Sequence, residues 1–158
     1  MDTMQKWTLC MITKGNKVLL KFGRRNISKN KWNGLGGKIE DGETPEEGLI
    51  REVKEESGLT VTKMKKFGNV RFYKGSKKEI LGIGHVFLVT GVSGKAVGGE
   101  EGEVRWFSKD KLPLDKMWED DRYWLPLLFE GKGADMEFLY DNRMKHVKEY
   151  HICNIRKM

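Results

Sequence analysis

Glu52, Glu55 and Glu56 stand at i, i+3 and i+4 within the stretch Gly37 to Leu59, GKIEDGETPEEGLIREVKEESGL. On a helix these three carboxylates project from one face, and each like-charged pair costs a few tenths of a kcal/mol. A bound cation removes that repulsion. Hard oxygen ligands of this kind suit Mg²⁺, with Mn²⁺ as a substitute. The competing reading is a solvated, ion-paired helix face with no ligand.

The helix that must carry these acids has clear limits. Thr44 predicts an N-cap, Pro45 fits the first helical position, and Glu47 completes a Thr-x-x-Glu capping box. Leu49, Ile50 and Val53 should form its buried flank, and Gly58 should end it in a left-handed cap. Just upstream, Trp32-Asn33-Gly34-Leu35-Gly36-Gly37 reads as a glycine-rich turn where backbone can approach a ligand. A carbonyl from this turn can join the carboxylates on a metal; otherwise the turn only joins two strands.

At this fixed spacing the stretch resembles the Nudix hydrolase box, G-x5-E-x7-R-E-U-x-E-E-x-G-U, with U a bulky aliphatic residue. Gly37, Glu43, Arg51, Glu52, Val53, Glu55, Glu56, Gly58 and Leu59 meet all nine specified positions. Outside the box the chain looks most like the animal oxidised purine nucleoside triphosphatases. Trp7-Thr8-Leu9, Lys17 to Leu20, Lys31 to Lys38 and Met117 to Trp124 carry that likeness, and the last dozen or so residues carry least of it.

The resemblance implies an α/β (α+β) Nudix fold, a mixed sheet sandwiched between helices, and hydrolysis of a nucleoside triphosphate to monophosphate and pyrophosphate. It implies a metal shell of the Gly36 carbonyl, Glu52, Glu55, Glu56 and a distal acid. Glu101, five residues before Trp106, fits that last place, with Glu100 beside it. Thr8, Asn33, Leu35, Gly36, Gly37, Lys38, Trp118, Asp120 and Asp121 match substrate-binding positions. A divalent ion would polarise phosphoryl oxygens and lower the pKa of a bound water. Glu52 and Glu56 both qualify as general base, and the resemblance favours Glu56. Arg51 and Glu43 are expected to orient the helix and loop.

Asp120 and Asp121 have their own physical logic. Two close carboxylates resist ionising together, so one keeps its proton. Such a pair can accept from N1–H and N2–H₂ of a guanine while donating to O6. Exchanging the proton would let the same pair read a 2-oxo-adenine. Trp118 offers a stacking face and Asn33 an amide for the other edge of the base. Alternatively, Asp120 or Asp121 caps the next helix, and Trp118 and Trp124 are core aromatics. Trp124 is read as mainly structural. Gly23 stands where the animal enzymes have a basic residue, and Lys74 and Ile27 where they have aromatics, which leaves relaxed specificity open.

Charge and composition bound the remaining possibilities. The 158 residues carry a net charge of +7, which attracts polyanions such as nucleotides or RNA 5′ ends. Lys21, Arg24, Arg25, Lys29, Lys31 and Lys38 cluster around the glycine segment, where triphosphate should lie. RNA 5′-end hydrolysis and a non-catalytic nucleotide sensor are the competing functions, and the complete carboxylate set argues against the sensor. Cys10 and Cys153 announce neither a disulfide framework nor a zinc site, and His85 reads as a strand histidine. The apolar run Trp7 to Ile12 is too short for a signal-peptide core or a membrane span. The expectation is one domain over residues 1–158, cytoplasmic and monomeric, with no obligate protein partner.

Strands are expected at Trp7 to Thr13, Lys17 to Phe22, Met64 to Tyr73, Ile80 to Thr90 and Val104 to Phe107. A second helix should start at Asp120 or Asp121 and run through Leu128. Met136 to Tyr140 and His146 to Ile152 should form a C-terminal hairpin.

Overall fold

In the computed structural model, residues 4–24, 28–98 and 102–158 are described. Strands β1 (Gln5–Lys14) and β2 (Lys17–Phe22) form a hairpin, followed by β3 (Trp32–Asn33) and β4 (Leu35–Lys38). Helix α1 (Pro45–Ser57) leads into β5 (Thr60–Lys74), β6 (Ile80–Ser93) and β7 (Val104–Ser108). Helix α2 (Asp121–Phe129) and the hairpin β8 (Lys132–Tyr140) and β9 (Val147–Lys157) complete the chain. Among the described residues the strands make one nine-stranded sheet, ordered β3-β2-β1-β6-β5-β8-β9, with β4 on β1 and β7 on β2. The pairs β1–β6 and β5–β8 are parallel and the others antiparallel, so the sheet is mixed.

Alternation along β1 and β2 shows why both faces are covered. Cys10, Ile12 and Leu19 join Phe87 and Val89 beneath Leu49 and Val53 of α1. Met11, Val18 and Leu20 point the other way, into a cluster with Val86 and with Trp124, Leu125 and Leu128 of α2. Strands buried on both sides read as unbroken apolar runs, which is how Leu-Cys-Met-Ile and Val-Leu-Leu appear here. The expected sandwich of a mixed sheet between helices is the arrangement found.

The start and end of α1 follow its local chemistry. Thr44 accepts from the Glu47 N–H at 3.1 Å, and Glu47 accepts from the Thr44 N–H at 2.9 Å. Such a cap is worth about 0.5–2 kcal/mol. Gly58 adopts φ 75° and its N–H bonds the Lys54 carbonyl at 2.9 Å. One expected flank residue is misplaced: Ile50 is 38 % exposed, while Leu49 and Val53 are fully buried. At 100° per residue, Leu49 and Val53 already define the stripe, and Ile50 falls at its solvent edge.

The glycine-rich segment is also not the turn that its composition suggested. It is extended, with Trp32–Asn33 on β2 and Leu35–Lys38 on β1. Its glycines serve close approach instead. A Cβ on Gly36, at φ +151°, would lie 2.0 Å from the Thr8 carbonyl oxygen.

Candidate active site

Strand β4 brings Gly36 and Gly37 against the acidic face of α1. A Cβ on Gly37 would stand 2.6–2.7 Å from the Glu52 carboxylate atoms, so only glycine leaves Glu52 its position. Glu56 is buried, and its Oε1 accepts the Gly36 N–H at 2.9 Å. Its Oε2 pairs with the Lys21 ammonium from β2. Burial pushes the Glu56 carboxyl up to about 7, opposed by Lys21 and the Gly36 N–H and assisted by Glu52.

Arg51 organises the rest of the acidic face. Its Nε and Nη2 grip Glu43 at 2.7 and 3.0 Å, and Nη2 also donates to the Lys38 carbonyl at 3.0 Å. Nη1 reaches Glu52 at 2.9 Å and Glu55 at 3.4 Å. The forked contact with Arg51 holds the Glu43 carboxyl down at about 2. Glu43 also accepts the Glu40 N–H at 2.8 Å, which ties the loop to the helix. Glu55 is the outlying acid, with its side chain 59 % exposed.

The helix stripe thus gathers three carboxylates, yet each is held by a lysine or arginine. Among the described residues no three Asp, Glu, His or Cys side chains close into a ready-made cage. The donor set nonetheless fits a hard divalent cation: carboxylate oxygens only, with the Glu52 carboxylate in a cradle that a single Cβ would fill. Glu100 and Glu101, the two choices for a distal ligand, lie outside the described residues, as do Arg25 and Ile27.

Beyond this edge opens a cleft of about 510 Å³, lined by Lys21, Asn33, Gly36, Lys38, Trp118 and the aspartate pair among others. Asp120 and Asp121 are both buried. Asp120 Oδ2 accepts the Trp124 indole N–H at 3.0 Å, and Oδ1 accepts the Tyr140 hydroxyl. Tyr140 Oη in turn accepts the Asp120 backbone N–H at 2.9 Å. Burial raises the Asp120 carboxyl, and the Tyr140 and Trp124 donors hold that rise back. Asp121 rises well above its ordinary range through burial, then through the neighbouring Asp120 charge. Of the two, Asp121 is pushed up further, which favours it as the seat of a shared proton.

Asp120 occupies the N-cap position of α2 but makes no capping bond, so the capping alternative fails for it. Trp124 is buried in the core, as expected, and also serves Asp120. Trp118 lies edge-on to Tyr140 at 5.7 Å, and the Lys31 ammonium sits 5.0 Å from its ring centroid. Glu119 bonds the Val147 N–H at 2.9 Å, anchoring the 117–121 segment to the start of β9. Asn33 donates its amide to the Lys31 carbonyl at 3.0 Å.

One expected contact residue sits differently. Leu35 is fully buried in the cluster beneath α1, while its neighbours Gly34 and Gly36 line the cleft. Thr8, by contrast, lines the cleft; it is buried and its hydroxyl has no hydrogen-bond partner. His85, paired with Thr8 in register, is a strand residue as expected. Sequence reasoning missed Tyr140, the pairing of Lys21 with Glu56, and the walls formed by Trp7 and Phe72, which stack at 5.8 Å. With Trp118 and Tyr140 these keep the cleft aromatic, although Lys74 and Ile27 suggested otherwise. Phe72 and Tyr140 share a face only through the parallel register of β5 and β8, which sets Phe72 opposite Phe138, and nothing local marked the Tyr140 hydroxyl as a partner of Asp120.

Comparison with known proteins agrees with this architecture. Residues 5–128 match the NUDIX domain. The chain is 38% identical over 143 residues to the mouse oxidized purine nucleoside triphosphate hydrolase, covering 90% of this chain and 91% of that protein. It is also 38% identical over 132 residues to the zebrafish (Danio rerio) protein of the same name, covering 84% of each. The crystal structure of a MutT protein from Bacillus halodurans superposes with a TM-score of 0.81 at 25% identity, covering 94% of this chain and 97% of that one. With the glutamate helix, its glycine cradle and the matching sheet, the chain belongs to the Nudix hydrolases.

Proposed function

We propose that this chain is a Mg²⁺-dependent pyrophosphohydrolase that converts oxidised purine nucleoside triphosphates, such as 8-oxo-dGTP, to monophosphate and pyrophosphate. The observation that carries the reading is the buried Asp120–Asp121 pair, polarised by Tyr140 and Trp124 at the base of an aromatic cleft. Asp120, ionised, accepts from the N1–H and N2–H₂ donors of the purine. Asp121, protonated, donates to O6. Trp118 stacks on the base, worth about 1–3 kcal/mol, and Asn33 faces its other edge.

Beside the Gly36–Lys38 edge of the cleft, Glu52, Glu55, Glu56 and the Gly36 carbonyl would hold the metal, with Glu101 as distal ligand. When bound, the ion would screen the polyphosphate and acidify a water. Glu56 is the favoured general base, by its match to the Nudix box. Arg51 and Glu43 keep the loop and helix in register. Lys38 lies on the cleft rim as a phosphate contact.

The deciding experiment is kcat/KM with Mg²⁺ for 8-oxo-dGTP, 2-oxo-dATP, dGTP and a 5′-triphosphate RNA, side by side. A clear lead for the oxidised purines supports the proposal. An RNA lead, for which the +7 charge is the motive, or a flat profile would overturn the substrate assignment and keep the hydrolytic chemistry.

A further inference from the structure

Lys21 and Arg51 both neutralise the acidic helix, but in different ways. Arg51 is a forked clamp, bonded to Glu43, Glu52, Glu55 and the Lys38 carbonyl. Lys21 is a point charge on a four-carbon stem, seated on Glu56 Oε2. Its backbone is fixed, since β2 pairs Lys21 with Asn33 of β3 and with Val104 of β7. Any movement is therefore confined to the side chain.

The placement sets the Lys21 ammonium at an oxygen that a metal ion would also seek. Glu56 is 4 % exposed, so its charge requires a partner in the metal-free protein. Oε1 accepts the Gly36 N–H, and Lys21 sits on Oε2, the oxygen to which no backbone donor is given. A divalent ion and an ammonium repel one another at such a distance. An ammonium on Oε2 therefore opposes a cation arriving at the same oxygen, and Lys21 also lines the cleft, together with Gly36, Gly37 and Lys38.

We propose that Lys21 is an exchangeable counter-ion of the metal site, which neutralises Glu56 before loading, yields Oε2 to the divalent cation, and then contacts the triphosphate. This rests on the reading of Glu56 as a metal ligand. Lys21 is thus a positioning residue before loading and a phosphate contact afterwards.

The test compares metal-free wild type, Lys21→Met, Lys21→Arg and Glu56→Gln, titrated with Mn²⁺ and read as free Mn²⁺ by electron paramagnetic resonance. The KM for dGTP with Mg²⁺ is measured in parallel. Lys21→Met should bind Mn²⁺ about tenfold more tightly and yet raise KM about tenfold, because the competitor and the phosphate contact are the same group. Lys21→Arg should restore the wild-type KM without tightening Mn²⁺. A merely structural lysine would weaken both properties together in Lys21→Met, and that result, or an unchanged KM, overturns the proposal. Saturable Mn²⁺ binding in the wild type that Glu56→Gln leaves untouched would instead overturn the metal assignment of Glu56, and this proposal with it.

Discussion

The Tyr140 hydroxyl closes a two-point contact with Asp120, accepting its backbone N–H at 2.9 Å and donating to its Oδ1. A phenol from β8 thereby makes the surroundings of two adjacent carboxylates unequal. Tyr140→Phe removes the donor and leaves a buried carboxylate under-satisfied, at a cost of about 1–3 kcal/mol. The expected result is a lower Tm, together with a changed ranking among purine triphosphates and an unchanged Mg²⁺ requirement. An unchanged ranking would separate Tyr140 from base recognition.

The proton on Asp121 makes stability depend on pH. The folded carboxyl titrates well above the ordinary aspartate value of 3.8. Between those two points the folded chain holds a proton that the unfolded chain has lost, so stability falls as pH rises through that window. Asp121→Asn removes the titration. Its Tm should fall less than that of the wild type as pH is raised from 4 upward, and parallel Tm profiles would refute the assignment.

Glu56→Gln keeps an acceptor for the Gly36 N–H but loses the charge. The fold should survive, judged by circular dichroism, while kcat drops by at least about 100-fold, the scale of lost base or metal function. Near-normal turnover would remove Glu56 from the mechanism.

Arg51→Lys keeps a charge but loses the fork to Glu43 and the reach to the Lys38 carbonyl. Supporting residues of this kind carry about 10–100-fold in metal affinity or activity. We expect that loss to appear in the Mn²⁺ titration. An unaltered titration would make Arg51 dispensable to the acidic face.

The two cradle glycines should fail differently. A methyl at Gly37 meets the Glu52 carboxylate, so Gly37→Ala should fold and lose metal affinity. A methyl at Gly36 meets the Thr8 carbonyl oxygen at 2.0 Å, so Gly36→Ala should weaken the β1–β4 pairing and lower Tm sharply. Equal Tm values for the two variants would contradict the geometry.

Helix α1 was legible in the sequence to its caps, because Thr44, Glu47 and Gly58 act through bonds within a few residues of themselves. The strands and the C-terminal hairpin were legible for the same local reason, periodicity and turn residues. The i, i+3, i+4 spacing likewise placed Glu52, Glu55 and Glu56 on one stripe. The tertiary structure alone decided what each polar group meets. It laid the glycine segment down as strands, sent Leu35 into the core, left Glu55 largely in water, and set Lys21 from β2 on Glu56 of α1. It also brought Tyr140 to Asp120 across twenty residues and so broke the symmetry of two neighbouring aspartates. Local propensity depends on neighbours in the chain, whereas burial, charge pairing and the seat of a shared proton depend on neighbours in space.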